Sequence, residues 1–155
     1  MGIFKQTFYM IVAIIVIIIG IFVALTLMRQ NEVIMKIVEN QAKSLSVSVA
    51  RVNQDAMVSN NFGTIVENTM ALLQNISNIS YIIITKGNDL ILVHYKNRWE
   101  KLENFDPEWK IGDGTKDFGK IIYSDLVKSK VFHYSFQLRY WEMPIGSIYI
   151  GLSLD

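Results

Sequence analysis

Few side chains in this sequence are equipped for chemistry. His94 and His133 are its two histidines, it contains no cysteine, and no serine stands in a nucleophile-elbow setting, so no catalytic set can be assembled. "GDGTKDFG" (112–119) has the glycines of a phosphate loop but neither the following helix nor the Lys-Ser/Thr pair such a cradle uses. Asp113 and Asp117 offer two carboxylates where calcium takes six or more oxygens. No enzyme activity, metal or cofactor is therefore expected of these residues. The constellation with chemical content lies in two alternating segments, "VFHYSFQLRYW" (131–141) and "IGSIYIGLSL" (145–154), joined by Glu142, Met143 and Pro144. Facing Trp141 with Ile145 sets Arg139 against Ser147, Gln137 against Tyr149, Ser135 against Gly151 and His133 against Ser153. The other side pairs Leu138 with Ile148, Phe136 with Ile150, Tyr134 with Leu152 and Phe132 with Leu154. One face is an apolar core and the other is polar, and a slip of one residue would exchange them. Taken alone, the polar set is what an antiparallel sheet shows to water.

The hairpin must be held by the rest of the chain. From Phe8 to Met28, "FYMIVAIIVIIIGIFVALTLM" carries no charge, with Lys5 before it and Arg29 after it. As a helix it spans about 30 Å, the thickness of a hydrocarbon core. It runs into Arg29 with no small-residue cleavage site, which predicts an uncleaved membrane anchor and not a signal peptide. No Gly or Pro follows until Gly63, so one helix is expected to continue beyond the anchor. Met35, Val38, Ala42, Leu45, Val49, Val52 and Ala56 step along it by three and four. That stripe suits either a parallel dimer seam or packing on the chain's own domain, and different stretches can do each.

Asn61 and Gly63 break the pattern, and a second helix is expected over roughly Thr64–Asn75. "SYIIIT" (80–85) and "LILVHY" (90–95) flank a turn built from Gly87, Asn88 and Asp89. A long polar connection, 96–119, contains Trp99, Pro107 and Trp109, the tryptophans as packing anchors, and a short strand follows at 120–124. A net charge of +1 leaves no basic footprint, which excludes nucleic acid as a partner. The sequons at Asn75 and Asn78 carry no weight here.

Long helix, short helix, two hairpin strands, a long connection and three more strands resemble the order of a PAS-like sensor domain of the single Cache type, found in bacterial histidine kinases, chemoreceptors and diguanylate cyclases. "ISYIIITKGNDLILVHYKN" is similar to that family's first hairpin and "PIGSIYIGLSLD" to its last strand; "TKGND" departs from the usual Asp-before, Gly-after turn. The resemblance covers roughly Arg29 to Asp155. It implies an α+β fold: an amino-terminal transmembrane helix continuing into a long helix, then a five-stranded antiparallel sheet in the order 2-1-5-4-3 with flanking helices. The expected domains are 1–28 for stub and anchor, 29–60 for the membrane-proximal helix and 61–155 for the sensor. It further implies that the polar sheet face is covered and lines a small pocket. His133, Gln137, Arg139, Ser147 and Tyr149 are then the candidate ligand-binding residues, with Arg98 and Trp99 from the connection acting as a lid. Arginine would take a carboxylate ligand through two bonds, oriented by Gln, Ser and Tyr.

The function this implies is extracytoplasmic sensing of a small molecule, from the bacterial inner membrane, through a parallel homodimer. An output module beyond Asp155 belongs to the same expectation, with this chain as the amino-terminal part of a longer receptor. The rival is a membrane-anchored scaffold or pilin-like assembly protein with no ligand. Against a pilin, Lys5 intrudes before the apolar run and no glutamate precedes Glu32.

Overall fold

The computed structural model describes residues 2–73, 76–87, 90–95, 98–102 and 117–154. The turn at Asn88 and Asp89, Pro107, Trp109, Asp113 and most of "GDGTKDFG" lie outside the described residues. Among these residues two helices, α1 (Gly2–Val58) and α2 (Phe62–Leu73), precede six strands: β1 (Ile79–Lys86), β2 (Leu90–Tyr95), β3 (Arg98–Leu102), β4 (Phe118–Ser124), β5 (Ser129–Tyr140) and β6 (Met143–Ser153). The chain divides into two compact units, Met1–Ile37 and Val38–Asp155.

The first unit is helical, and its apolar side chains from Phe8 to Met28 are exposed. α1 is long and apolar enough to cross a membrane.

In the second unit α1 buries Ala42, Leu45, Ser46, Val49, Asn53, Ala56 and Met57. The heptad stripe is thus used, over this stretch, for the protein's own core. α1 ends in a Schellman motif: Asn60 takes φ 56°, its N–H donates to Met57 O, and Asn61 N–H donates to Ala56 O at 2.9 Å. Asn61 then caps α2, its Oδ1 accepting from Thr64 N–H at 3.2 Å. The left-handed residue at this break is Asn60, where the sequence pointed to Asn61 and Gly63. Asn53 Nδ2 donates to Thr69 Oγ1 at 2.8 Å and Asn68 Nδ2 to Val52 O at 2.8 Å, which ties α2 to α1. Lys86, at the end of β1, donates from Nζ to Met57 O and, at 2.6 Å, to Asn60 Oδ1. An ammonium on the last carbonyls of a helix meets the negative end of its dipole.

All strand pairings are antiparallel and the sheet order is β3-β2-β1-β6-β5-β4. This corrects the five-stranded expectation: the five predicted strands keep their relative order, and a sixth, β3, is added at the β2 edge. The charges of "RWEKL" hide any alternation, so the sequence places it in the connection; β2 captures it through five consecutive pairs, Ile91–Leu102 to Tyr95–Arg98.

The last hairpin needs a second correction. Gln137 pairs with Ser147, Ser135 with Tyr149, His133 with Gly151 and Phe132 with Leu152, two residues away from the expected register. The turn is Trp141–Glu142 with φ of 46° and 68°, the two left-handed residues of a type I′ turn; it alone would slip the register by three, and a bulge between Leu138 and Arg139 brings the slip back to two. A shift of two preserves side-chain parity, so both faces keep their predicted composition. Ile82, Ile84, Phe132, Tyr134, Leu138, Ile148, Ile150 and Leu152 share the apolar face and are buried. α1 covers it, with the Met57 side chain beside Gly146 and Gln54 Nε2 donating to Arg139 O at 3.1 Å.

Candidate functional site

The opposite face of the sheet carries the polar set, and its His133–Tyr149 end is buried. His133 is 0% exposed and Ser135 and Tyr149 are below a tenth. That end is therefore not a sheet face left in water.

Strand pairing adds β1 to the face. Tyr81 lies opposite Gly151 and Ile83 opposite Tyr149, so Tyr81, Ile83 and Thr85 stand beside His133, Ser135 and Tyr149. The Tyr81 hydroxyl lies 2.6 Å from His133 Nδ1. Its ring passes over Gly151, where a Cβ would sit 2.4 Å from a ring carbon, so only glycine leaves room for it. The His133 and Tyr149 rings stack at 5.5 Å and 21°. Tyr81, Ile83, Val131 and Tyr149 form an apolar cluster, with Leu102, Ile122, Leu126 and Val127 packed against it. Burial pushes the Tyr81 hydroxyl far above the ordinary phenol range. Burial also raises Tyr149, while hydrogen bonds to Ser147 and Ser135 oppose the rise.

The chemistry grades along β5 and β6. His133 and Tyr81 form a fully buried pair near Gly151. Toward the hairpin tip come Ser135 and Tyr149, then half-buried Gln137 and Ser147, and finally exposed Arg139. Thr85 Oγ1 accepts from Ser147 N–H at 3.2 Å and donates to Ser147 O at 3.3 Å. Asp117 Oδ1 accepts from Gln137 N–H at 3.4 Å. Arg139 donates from Nε and Nη2 to Gln137 Oε1 at 3.0 and 2.8 Å, so the amide orients the guanidinium. The arrangement supplies neutral hydrogen-bonding groups in a buried centre and one oriented cation at the wetter end. Among the described residues no cluster of three or more His, Cys, Asp or Glu could hold a metal ion.

Of the predicted residues, the structure brings together His133, Gln137, Arg139, Ser147 and Tyr149. Arg98 and Trp99 are not in a lid but in β3. Arg98 shares the polar face with three strands between it and β5, and its Nε pairs with Glu100 Oε1 at 3.0 Å. Trp99 pairs with His94, which pairs with Ile82, and this puts both on the apolar side. Their rings lie 5.1 Å apart, and burial lowers the pKa of His94. Tyr81 and Thr85 were missed, although the alternation in "SYIIIT" sets Tyr81, Ile83 and Thr85 on one side.

A long helix packed with a short one beside a six-stranded antiparallel sheet makes an α+β fold. Solved structures similar to it include sensory domains of the Campylobacter jejuni chemoreceptor Tlp3. The form with isoleucine bound matches at TM-score 0.61 and 14% identity, covering 78% of this chain and 52% of that one. The L-norvaline complex matches at 0.61 and 14%, covering 78% and 51%. A further structure of the Tlp3 sensory domain matches at 0.55 and 17%, covering 78% and 53%. The chain thus spans about half the length of these structures. No protein-family model matches the sequence, and no curated protein does.

Proposed function

We propose that this chain is the membrane-anchored, extracytoplasmic sensor part of a bacterial receptor, binding a small molecule and signalling across the inner membrane as a parallel homodimer. The observation that carries the reading is the burial of one end of a polar sheet face, in a fold shared with ligand-bound chemoreceptor domains. Tyr149, Ser135, Ser147 and Gln137 supply hydrogen bonds, and Arg139, held by Gln137, takes a carboxylate. Small L-amino acids with apolar side chains are the first candidates, since the similar structures hold isoleucine, L-norvaline and L-valine. Ligand transmits a signal only if it binds two arrangements of the domain with different affinity. In this reading 1–28 is stub and anchor, 29–60 links it to the sensor, and 61–155 senses.

The scaffold reading keeps one observation in its favour. Around Gly151 the polar face is filled by its own Tyr81 and His133, which confines a ligand to the Tyr149–Arg139 end.

The test is thermal unfolding of the full chain in detergent micelles with isoleucine, L-norvaline, L-valine and glycine as probes. A site saturated a hundredfold above its Kd adds about 2.7 kcal/mol, a rise of several degrees. Arg139→Ala should abolish the rise with little change in the ligand-free melting temperature. Leu138→Ala, on the apolar face, should lower that temperature by the equivalent of about 2–5 kcal/mol. No shift with any probe favours the scaffold.

A further inference from the structure

The two edges of the sheet differ in a way the sensor reading does not use. At one edge β3, "RWEKL", has three charged residues in five, Arg98, Glu100 and Lys101. Charges of this kind block pairing with another chain. At the other edge β4, "FGKIIYS", has one charge, Lys120, and no proline. It pairs with β5 through seven consecutive residues, Phe118–Ser135 to Ser124–Ser129, with no bulge. Three of its seven side chains are large, apolar and solvent-exposed: Phe118 at 43%, Ile121 at 43% and Tyr123 at 55%. Gly119 is fixed by its own sheet, since a Cβ there would sit 2.3 Å from the Phe132 ring. Among the described residues nothing but β5 pairs with this apolar strand, and such an edge is a template for one more strand, because only an extended backbone satisfies its row of N–H and C=O groups.

We infer that the β4 edge is a self-association surface, on which the β4 of a second copy adds antiparallel about a two-fold axis. An isologous contact requires a strand complementary to itself. With Ile122 on the axis, Ile121 faces the partner's Tyr123 on one side of the joined sheet and Lys120 faces the partner's Ser124 on the other. The two lysines are then offset by four residues, about 13 Å along the strands. Centring on Ile121 would place them diagonally adjacent, and centring on Lys120 directly opposite, both repulsive. The register with Ile122 on the axis joins the apolar side chains and separates the charges. The surface is independent of ligand binding and of any contact through α1.

Disulfide trapping of the full chain in native membranes reads this out, because the sequence has no cysteine. Directly opposed residues of an antiparallel pair have Cα atoms about 4.5–5.5 Å apart, within disulfide range. Ile122→Cys should crosslink to itself on mild oxidation, and Glu100→Cys, on the guarded edge, should not. Adding Ile121→Lys with Tyr123→Lys should remove the Ile122→Cys crosslink while leaving the melting temperature within a few degrees, since both positions are exposed. Monomer from Ile121→Cys, Ile122→Cys and Tyr123→Cys alike overturns the inference, whether the edge is then empty or holds a different protein. Equal trapping at Glu100→Cys also overturns it, as random collision. Crosslinking at Met35→Cys in α1 reports the separate contact of the proposed signalling dimer and has no bearing on the edge.

Discussion

The hydroxyl of Tyr81 on β1 meets Nδ1 of His133 on β5 at 2.6 Å, across β6, which lies between the two strands. The bond exists because β6 presents Gly151 at the crossing and gives the ring a floor without a side chain. Tyr81→Phe keeps the ring and deletes the bond inside the core. The expected cost is about 1–3 kcal/mol, since His133 Nδ1 stays buried without Tyr81's hydroxyl. Gly151→Ala should cost at least as much by forcing the ring aside. Urea unfolding of both variants, and of the pair together, checks this: the double mutant should lose less than the sum.

Stability should depend on pH through His94. Burial lowers its folded-state pKa, whereas the unfolded chain titrates near about 6.5. Below that value the unfolded state binds the extra proton, so stability falls as pH drops through the unfolded pKa toward the folded one, and is flat above. Melting temperatures between pH 8 and 5 for wild type and His94→Leu give the comparison. The variant should show the shallower decline, and parallel curves would remove His94 from the account.

The hairpin tip offers a gain. Trp141 and Glu142 both hold positive φ, a conformation that costs non-glycine residues energy and suits Asn-Gly. Replacing the pair by Asn-Gly should raise stability by about 1 kcal/mol, read as a melting temperature a few degrees higher. A fall would show that the exposed Trp141 ring contributes more than the turn.

The topology proposed for α1 is open to a direct check. An alkaline phosphatase fused after Leu154 should be active in a bacterial host. Activity of a cytoplasmic reporter at the same point would reverse the orientation.

The sequence disclosed faces better than it disclosed positions. Period-two alternation assigned His133, Ser135, Gln137, Ser147 and Tyr149 to one side and Phe132, Leu138 and Ile150 to the other, because any misalignment by two preserves the assignment. It did not give the register, since Trp141–Glu142 carries none of the Asn-Gly chemistry that marks a type I′ turn. Strand β3 was hidden because a charged pentapeptide becomes a strand through its neighbour's backbone and not through its own pattern. Tyr81 escaped because the polar face was assembled from one hairpin, and its membership depends on β1 lying next to β6, a contact between distant parts of the chain. The α1 stripe was ambiguous for a physical reason: an apolar line at helical spacing is the same whether a sheet or a second helix covers it.

Lys86 fastens the end of β1 to the end of α1 through Met57 O and Asn60 Oδ1. In mechanical terms this is a pinned joint. Axial sliding of the helix past the strand by one turn, about 5.4 Å, must first unseat the ammonium from both acceptors. Rotation about the joint leaves them in place. Gln54 Nε2 on Arg139 O is a second fastening near the same end of α1, so Lys86→Met would loosen one of two attachments and leave the other.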